Sequence, residues 1–366
     1  MAATVLEIDL AALVHNFSYL KSKIKPGVKI LAVAKAFGYG SDAVAVAQKL
    51  ESLNVDYFAV AYAEEGIALR NGGVTAPILV LHPQIGSFEE MITHCLEPNL
   101  YSFRVLETFI AVAEEKQLQD YPIHIKFNTG LNRLGFKPGN EDKLLKILET
   151  TEAIEVKSLF SHLVASEDLD EKEFTLHQIS TFKSCAEKMI VGLSYTPILH
   201  QSNTSGILNF PEAHFDMVRT GIGLYGYGND PEEDANLKPV ATLKSVISQI
   251  HDISIGESVG YNRAHIAKKP ERSATIPLGH ADGISREYGN GTGYVTINGK
   301  KASILGNVCM DMVMADVTEI DCKEGDEVII FGKGAPLPDL AKKVGSISYE
   351  LLTAISQRVK RIIING

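Results

Sequence analysis

Residues Leu31–Gly40 read LAVAKAFGYG: a short apolar β run (Lys29 to Val33) that ends at a single lysine, Lys35, and then at two glycines around a tyrosine, Gly38-Tyr39-Gly40. A lysine is costly to bury, so one reading of Lys35 is a strand-end cation turned to water. The other is that a lysine held at the mouth of a buried strand can lose its proton and form an imine with an aldehyde, either a substrate or pyridoxal phosphate. The segment alone leaves both open.

On either side of it, β and helical patterns alternate. Val5 to Ile8 is strand-like, Asp9 is placed to cap an amphipathic helix reaching about Ile24, and Asp42 to Leu50 is helical. β runs then follow at Tyr57–Ala61, Ile78–Leu81, Leu100–Phe103, Ile123–Phe127, Val156–Phe160, Thr196–Leu199 and Met217–Gly221. Helical segments lie between them at Glu64–Arg70, Phe88–His94, Val105–Lys116, Glu141–Leu148, Lys172–Met189 and Gly206–Leu208. Counted from Lys29, eight β runs over roughly 200 residues predict a closed (β/α)8 barrel, a TIM barrel, rather than an open sheet. No G-x-G-x-x-G opens the first βα turn, which counts against a dinucleotide fold.

The texture changes at Asn229–Asn236 (NDPEEDAN), which is acidic and poor in apolar residues. Beyond it come β runs with little helix: Thr242–Ile250, Ala274–Leu278, Gly293–Ile297, Ala302–Leu305, Met312–Val317 and Glu327–Phe331. Asn298-Gly299 is a hairpin signal, and an amphipathic helix is predicted over Tyr349–Val359. The expected organisation is a barrel over residues 10–232 and a second, mostly β domain formed by 1–9 and 238–366.

Of the 366 residues, 45% are apolar and 22% charged, enough for a full core and too few charges for general disorder. A formal net charge of −10 argues against a nucleic-acid or anionic-membrane surface. Cys95, Cys185, Cys309 and Cys322 lie far apart without C-x-x-C spacing, which suits a reducing compartment and neither a disulfide framework nor a zinc site. MAATVLEIDL lacks the basic and apolar regions of a signal peptide, and no apolar run is long enough to span a bilayer, so the expected location is cytoplasmic.

Polar residues collect at the ends of the β runs. Lys35 ends the first, Arg133 follows the fifth within IKFNTGLNRLG, and His162 follows the sixth in LFSHL. Gln201–Ser205 follows the seventh, and Arg219, Gly221 and Ile222 lie at the eighth. Each alone could be a satisfied core histidine or a salt-bridged rim arginine. Together they fall where catalytic groups of a barrel gather. Asn203, Thr204, Ser205, Gly221 and Gly223 form loops able to hold a phosphate through backbone N–H groups and a hydroxyl. With a lysine at the first strand end, that suggests pyridoxal phosphate bound as a Schiff base.

The ordered motifs AVAKAFGYG, IKFNTGLNRLG, LFSHL, SNTSG, MVRTGIGLYG, VGYNR, IPLGHADG, GNVCMDMVMADVT and ISYELLTAISQRVKR resemble those of bacterial alanine racemases over nearly the whole chain. These are pyridoxal 5'-phosphate enzymes of fold type III. The resemblance implies a barrel followed by a β domain, in a head-to-tail homodimer where each β domain completes the partner's site. It implies that Lys35 holds the cofactor and that Lys35 and Tyr261 of the partner subunit are the two acid–base groups. Racemisation takes the α-proton from one face and returns one to the other, and a single rigid base would tend to restore the original hand.

By the same resemblance, His162 hydrogen-bonds the catalytic tyrosine and Arg219 meets the pyridine nitrogen. Tyr39, Asn203, Thr204, Tyr349 and the backbone of Gly221 and Ile222 hold the phosphate end. Arg133 and the partner's Met310 N–H grip the substrate carboxylate. Lys126 falls where relatives often carry a carbamylated lysine that buttresses this arginine; the alternative is an ordinary lysine on a barrel strand. The sequence departs from the common pattern at Asn128 (usually Asp), Phe37-Gly38 (usually Asn-Ala) and His280 (usually Tyr), positions that bear on the carboxylate site, the cofactor turn and the entrance. The implied activity is interconversion of L- and D-alanine, supplying D-alanine for peptidoglycan. The rivals are a serine or broad-specificity racemase, and a barrel decarboxylase drawing on Cys309 beside Met310.

Overall fold

The structure, a computed structural model, describes residues 3–228 and 230–366. Met1 and Ala2 of the expected segment 1–9, and Asn229 at the head of the acidic stretch, lie outside the described residues. After β1 (Val5–Asp9) come β2 (Lys29–Val33), β3 (Tyr57–Val60), β4 (Ile78–Val80), β5 (Glu97–Leu100), β6 (Tyr121–Lys126), β7 (Ile154–Phe160), β8 (Ile198–His200) and β9 (Met217–Thr220). The last eight are parallel and close into a barrel in chain order, β2 pairing with both β3 and β9. Leu31, Tyr57, Ala59, Leu79 and Met217 form one of its apolar clusters, packed by Val33, Leu81 and Ile198. The predicted (β/α)8 architecture is therefore the observed one.

The chain divides into two units. Val14–Gly38 and Ala43–Leu237 hold the barrel; residues up to Leu13, Tyr39–Asp42 and Lys238–Gly366 make up the other. That second unit is built on β10 (Ala241–Val246), β11 (Gln249–Ile253), β12 (Ser258–Val259), β13 (His265–Ile266), β14 (Glu271–Ile276), β15 (Tyr294–Ile297), β16 (Lys300–Leu305), β17 (Val313–Asp316), β18 (Glu327–Phe331) and β19 (Lys360–Ile364). Nine of these strands, counting β1, form one sheet in the order β11-β14-β17-β16-β15-β18-β10-β1-β19. Asn298 and Gly299 (φ 48° and 75°) make the tight turn between β15 and β16, both in the left-handed region that such a hairpin needs. Asp9 caps the helix Leu10–Ser22, its Oδ1 accepting from the N–H groups of Ala11 (3.0 Å) and Ala12 (3.1 Å).

Four elements sit elsewhere than the sequence pattern predicts. The strand expected at Leu100–Phe103 is β5, three residues earlier, because Ser102 caps the helix Phe103–Glu115 by accepting from Val105 N–H. The strand expected at Thr196–Leu199 runs from Ile198 to His200, starting after Pro197, which has no N–H for a ladder. Thr242–Ile250 is two strands: β10 pairs with β1 and β18, β11 with β14. The terminal helix is only Ser348–Ala354; Ile355 turns extended (φ −63°, ψ 115°) and the chain ends in β19, parallel to β1. No described helix is long and apolar enough to cross a membrane.

Candidate active site

The turn after β2 is wound left-handed. Ala36, Phe37, Gly38, Tyr39 and Gly40 all have positive φ (53°, 56°, 64°, 53° and 78°). Left-handed helical conformation costs L-residues other than glycine about 1–2 kcal/mol each, so three of the five are strained. Glu65 holds the strained end in place. Its Oε1 accepts from Ala36 N–H at 2.6 Å, while Oε2 accepts from Ala61 N–H at 2.7 Å. Gly40 is required sterically too, since a Cβ there would stand 2.0 Å from the carbonyl oxygen of Leu352. Backbone strain of this kind collects at functional sites, and here it begins at the residue after Lys35.

Lys35 shares the C-terminal end of the barrel with three other cations. Lys126 is the last residue of β6, Arg133 follows it, and Arg219 lies within β9. Burial, then the charge of Arg133, hold the Lys35 amine below its ordinary pKa, with Glu65 opposing. Lys126 is 7% exposed, and burial together with Arg133, Arg219 and Lys35 lowers it to about 7. Arg219 is buried, which lowers it to about 9. All the acceptors it meets are neutral: Ser161 O at 2.6 Å, Gln201 O at 2.8 Å, His200 Nδ1 at 2.8 Å and His162 Nδ1 at 3.0 Å. A guanidinium only donates, so the facing Nδ1 of His162 carries no proton and its Nε2 does. Burial and the four surrounding cations keep this imidazole well below its ordinary pKa.

The loops after β8 and β9 meet at Thr204. Its buried Oγ1 accepts from the N–H groups of Gly221 (3.4 Å) and Gly223 (3.3 Å) and lies 3.3 Å from Thr220 Oγ1. Asn203 caps the short helix Thr204–Asn209, its Oδ1 accepting from Gly206 N–H and Ser166 Oγ. Its Oδ1 is therefore committed to the loop itself.

The other unit carries the remaining predicted residues. Tyr39 and Tyr349 are ring neighbours at 6.0 Å, and burial, then Tyr349, raise the Tyr39 phenol above its usual pKa. Tyr261 stands between β12 and β13 and is 73% exposed. Met310 is 58% exposed; its carbonyl accepts from Ala281 N–H, while its own N–H meets no acceptor among the described residues. His280 is anchored through its backbone, its N–H donating to Cys309 O at 2.9 Å. Gly279 allows this approach, since a Cβ there would lie 2.3 Å from Cys309 O. Arg358 grips Asp282 with Nε (2.7 Å) and Nη2 (2.9 Å) and reaches Asp311 at 2.8 Å.

Sequence reasoning passed over Glu65 and His200. The first has no motif. The second ends a β run in ILHQSN, and an inward histidine at a barrel strand end was the available signal. As a set, the barrel cations, with Glu65 opposing them at Lys35, suit an anionic guest. Among the described residues Arg219 Nε meets no acceptor, which leaves a donor for a ring nitrogen. The donor set therefore fits pyridoxal phosphate, with an amine of lowered pKa for its aldehyde.

Comparison with known proteins agrees. The family model described as alanine racemase, N-terminal domain, matches residues 8–229, and that of the alanine racemase C-terminal domain matches 240–363. The chain is 35% identical to "Alanine racemase 2" of Caldanaerobacter subterraneus subsp. tengcongensis, covering 99% of this chain and 95% of that protein. Among solved structures, an alanine racemase of Clostridium difficile superposes with a TM-score of 0.92 at 33% identity, covering 100% of this chain and 96% of that one. That of Bartonella henselae, described with covalently bound pyridoxal phosphate, does so at 0.90 and 30% identity, covering 100% of both chains.

Proposed function

The chain belongs to the alanine racemase family and is an enzyme that interconverts L- and D-alanine with pyridoxal 5'-phosphate, and we propose that it does so with two bases, Lys35 and Tyr261 of the partner subunit. When bound, the cofactor draws electrons from the substrate's α-carbon and makes its hydrogen acidic. Lys35 Nζ, its pKa lowered by burial and Arg133, gives up its proton more readily than an ordinary lysine and takes or returns the proton on one face.

Tyr261 of the partner subunit serves the other face. A phenol ordinarily titrates near 10 and needs help to act as a base. His162 supplies it: with Nδ1 engaged by Arg219, its Nε2–H is left to donate to the phenolate oxygen. Arg219, which cannot readily surrender a proton, keeps the cofactor's ring nitrogen an acceptor and so limits how strongly the ring draws electrons, favouring racemisation over side reactions. Tyr39, Asn203, Thr204, Tyr349 and the N–H groups of Gly221 and Ile222 hold the phosphate. Arg133 and the partner's Met310 N–H hold the substrate carboxylate.

With a pKa of about 7, Lys126 has a nucleophilic amine at physiological pH. Its nitrogen adds to carbon dioxide and releases a proton, leaving a carbamate anion that pairs with Arg133. The barrel domain, residues 10–232, carries the cofactor, and the β domain, 1–9 and 238–366, completes the partner's site in a homodimer. The enzyme acts in the cytoplasm and supplies D-alanine to peptidoglycan synthesis.

The observation that carries this reading is the two buried cations, Lys126 and Arg219, beside a His162 whose Nδ1 faces Arg219. Its test is α-proton exchange from each alanine enantiomer in deuterated water, measured with racemisation in wild type and Tyr261→Phe. Wild type should give deuterated product in both directions. Y261F should lose exchange from L-alanine while exchange from D-alanine through Lys35 persists. Racemisation by Y261F at the wild-type rate removes Tyr261 from the mechanism.

A further inference from the structure

Arg219 is buried without a carboxylate in contact, yet it is tied to one at a distance. His200 Nε2 lies 2.9 Å from Ser158 Oγ, Ser158 Oγ lies 2.5 Å from His124 Nδ1, and His124 Nε2 lies 2.7 Å from Glu97 Oε2. These groups come one each from five neighbouring barrel strands, β9, β8, β7, β6 and β5, and all are buried. Phe160 stacks flat on His200 at 4.8 Å (8° between planes), and Tyr57 packs edge-on to His124 at 5.9 Å, so neither imidazole can rotate freely.

The direction of every bond follows from the two ends. Arg219 only donates, so His200 Nδ1 accepts and the His200 proton sits on Nε2. That proton goes to Ser158 Oγ. The Ser158 hydroxyl is fully buried, and leaving its hydrogen unbonded would cost about 1–3 kcal/mol; His124 Nδ1 is the acceptor within reach. His124 therefore carries its proton on Nε2 and gives it to the Glu97 carboxylate. Every donor points away from Arg219 and toward Glu97, and bonds aligned in this way strengthen one another.

We propose that Glu97, His124, Ser158 and His200 are positioning residues that orient Arg219 toward the cofactor's ring nitrogen, an inference that rests on the placement of Arg219 under Proposed function. A carboxylate in direct contact with that nitrogen would favour its protonation. The relay instead fixes the guanidinium's orientation while keeping the negative charge several bonds away. Reversing any link would put the His200 proton on Nδ1, against an arginine N–H.

The first test needs no variant. Nitrogen-15 spectra of imidazole-labelled wild-type holoenzyme should show His124 and His200 each carrying a proton on Nε2 and none on Nδ1. A proton on Nδ1 at either position overturns the proposal. The second test uses Ser158→Ala, Ser158→Thr, Glu97→Gln and Arg219→Gln holoenzymes. S158A and E97Q should lower kcat by about tenfold, the worth of one charge-assisted hydrogen bond, and leave KM for alanine within about twofold. Both should displace the visible absorption band of the bound cofactor, R219Q should displace it further, and S158T should restore it. If R219Q moves the band but S158A and E97Q do not, the relay is overturned alone. If R219Q leaves the band in place, the placement of Arg219 is overturned along with it.

Discussion

The buried cations at the barrel's C-terminal end and the carboxylate-paired cations of the β unit are held in opposite ways. In the barrel, Lys126 and Arg219 are buried among neutral acceptors and other cations, and their pKa values fall to about 7 and about 9. In the β unit, hydrogen bonds to Asp282 and Asp311 raise Arg358. There too, partial burial lowers Lys244, but hydrogen bonds to Glu7 (3.0 Å) and Glu327 (3.1 Å) outweigh it and raise the amine. Paired cations of the second kind serve the fold. A buried cation cluster without its anion is a standing cost, and it marks where binding free energy from an anionic guest is to be recovered.

The sharpest way to break this comparison is to remove one cation from the barrel. Lys35→Ala should lower racemisation by about 10⁴-fold or more, the upper range for a positioned base, and should abolish covalent retention of the cofactor under denaturing conditions. Retained covalent cofactor in K35A would move the attachment to another lysine. Next in size is a complementation experiment. Separately inactive K35A and Y261F chains, mixed and allowed to exchange subunits, should recover about a quarter of wild-type activity, because half the dimers are mixed and each has one intact site of two. No recovery would mean that both groups act within one chain.

A third test concerns pH. The Lys126 pKa falls from 10.5 to about 7 on folding, so between those values the unfolded chain holds a proton that the folded chain lacks. Unfolding then takes up a proton, and stability rises with pH across that window. In buffer freed of carbon dioxide, denaturant unfolding should show a gain of up to about 2–3 kcal/mol between pH 7 and 9, and Lys126→Met should abolish that slope. Arg358→Met, which removes a cation that stays charged throughout, should leave the slope unchanged; equal slopes in wild type and K126M would show that Lys126 is charged in the folded chain. The smallest effect is expected from Asn128→Asp. Asn128 already accepts from the N–H groups of Gly130 and Asn132 and donates to Asn132 Oδ1 at 2.9 Å. A carboxylate there would keep the accepting role and lose the donated bond, so KM for alanine should change by no more than about threefold, with kcat unaltered.

Much of the fold was legible because it is local. Asp9 capping the first helix, Asn298-Gly299 turning a hairpin and the alternation of eight β runs with helices each depend on residues a few positions apart. The misplaced elements have local causes of another kind. β5 reads EPNL, and Glu97 and Asn99 are polar residues buried inside the barrel, so the apolar signal slid to the residues after them. The last helical pattern runs past Ala354 because Leu351, Leu352, Ile355 and Val359 also space as a helix face, and β19 beyond it has no counterpart among the expected elements. Lys35, Arg133, His162 and Arg219 could be singled out because they stand at strand ends, where a barrel assembles its chemistry.

The sequence by itself determined which elements form, in what order, and which groups are available for chemistry, since periodicity, caps and turn residues act over a few residues. Only the tertiary structure decided the condition of those groups. The neutral His162, the lowered amine of Lys126 and the directed chain from Arg219 to Glu97 arise where β5, β6, β7, β8 and β9 come together. A protonation state depends on burial and on neighbours from distant parts of the chain, and no spacing between Glu97, His124, Ser158, His200 and Arg219 in the sequence announces that they touch.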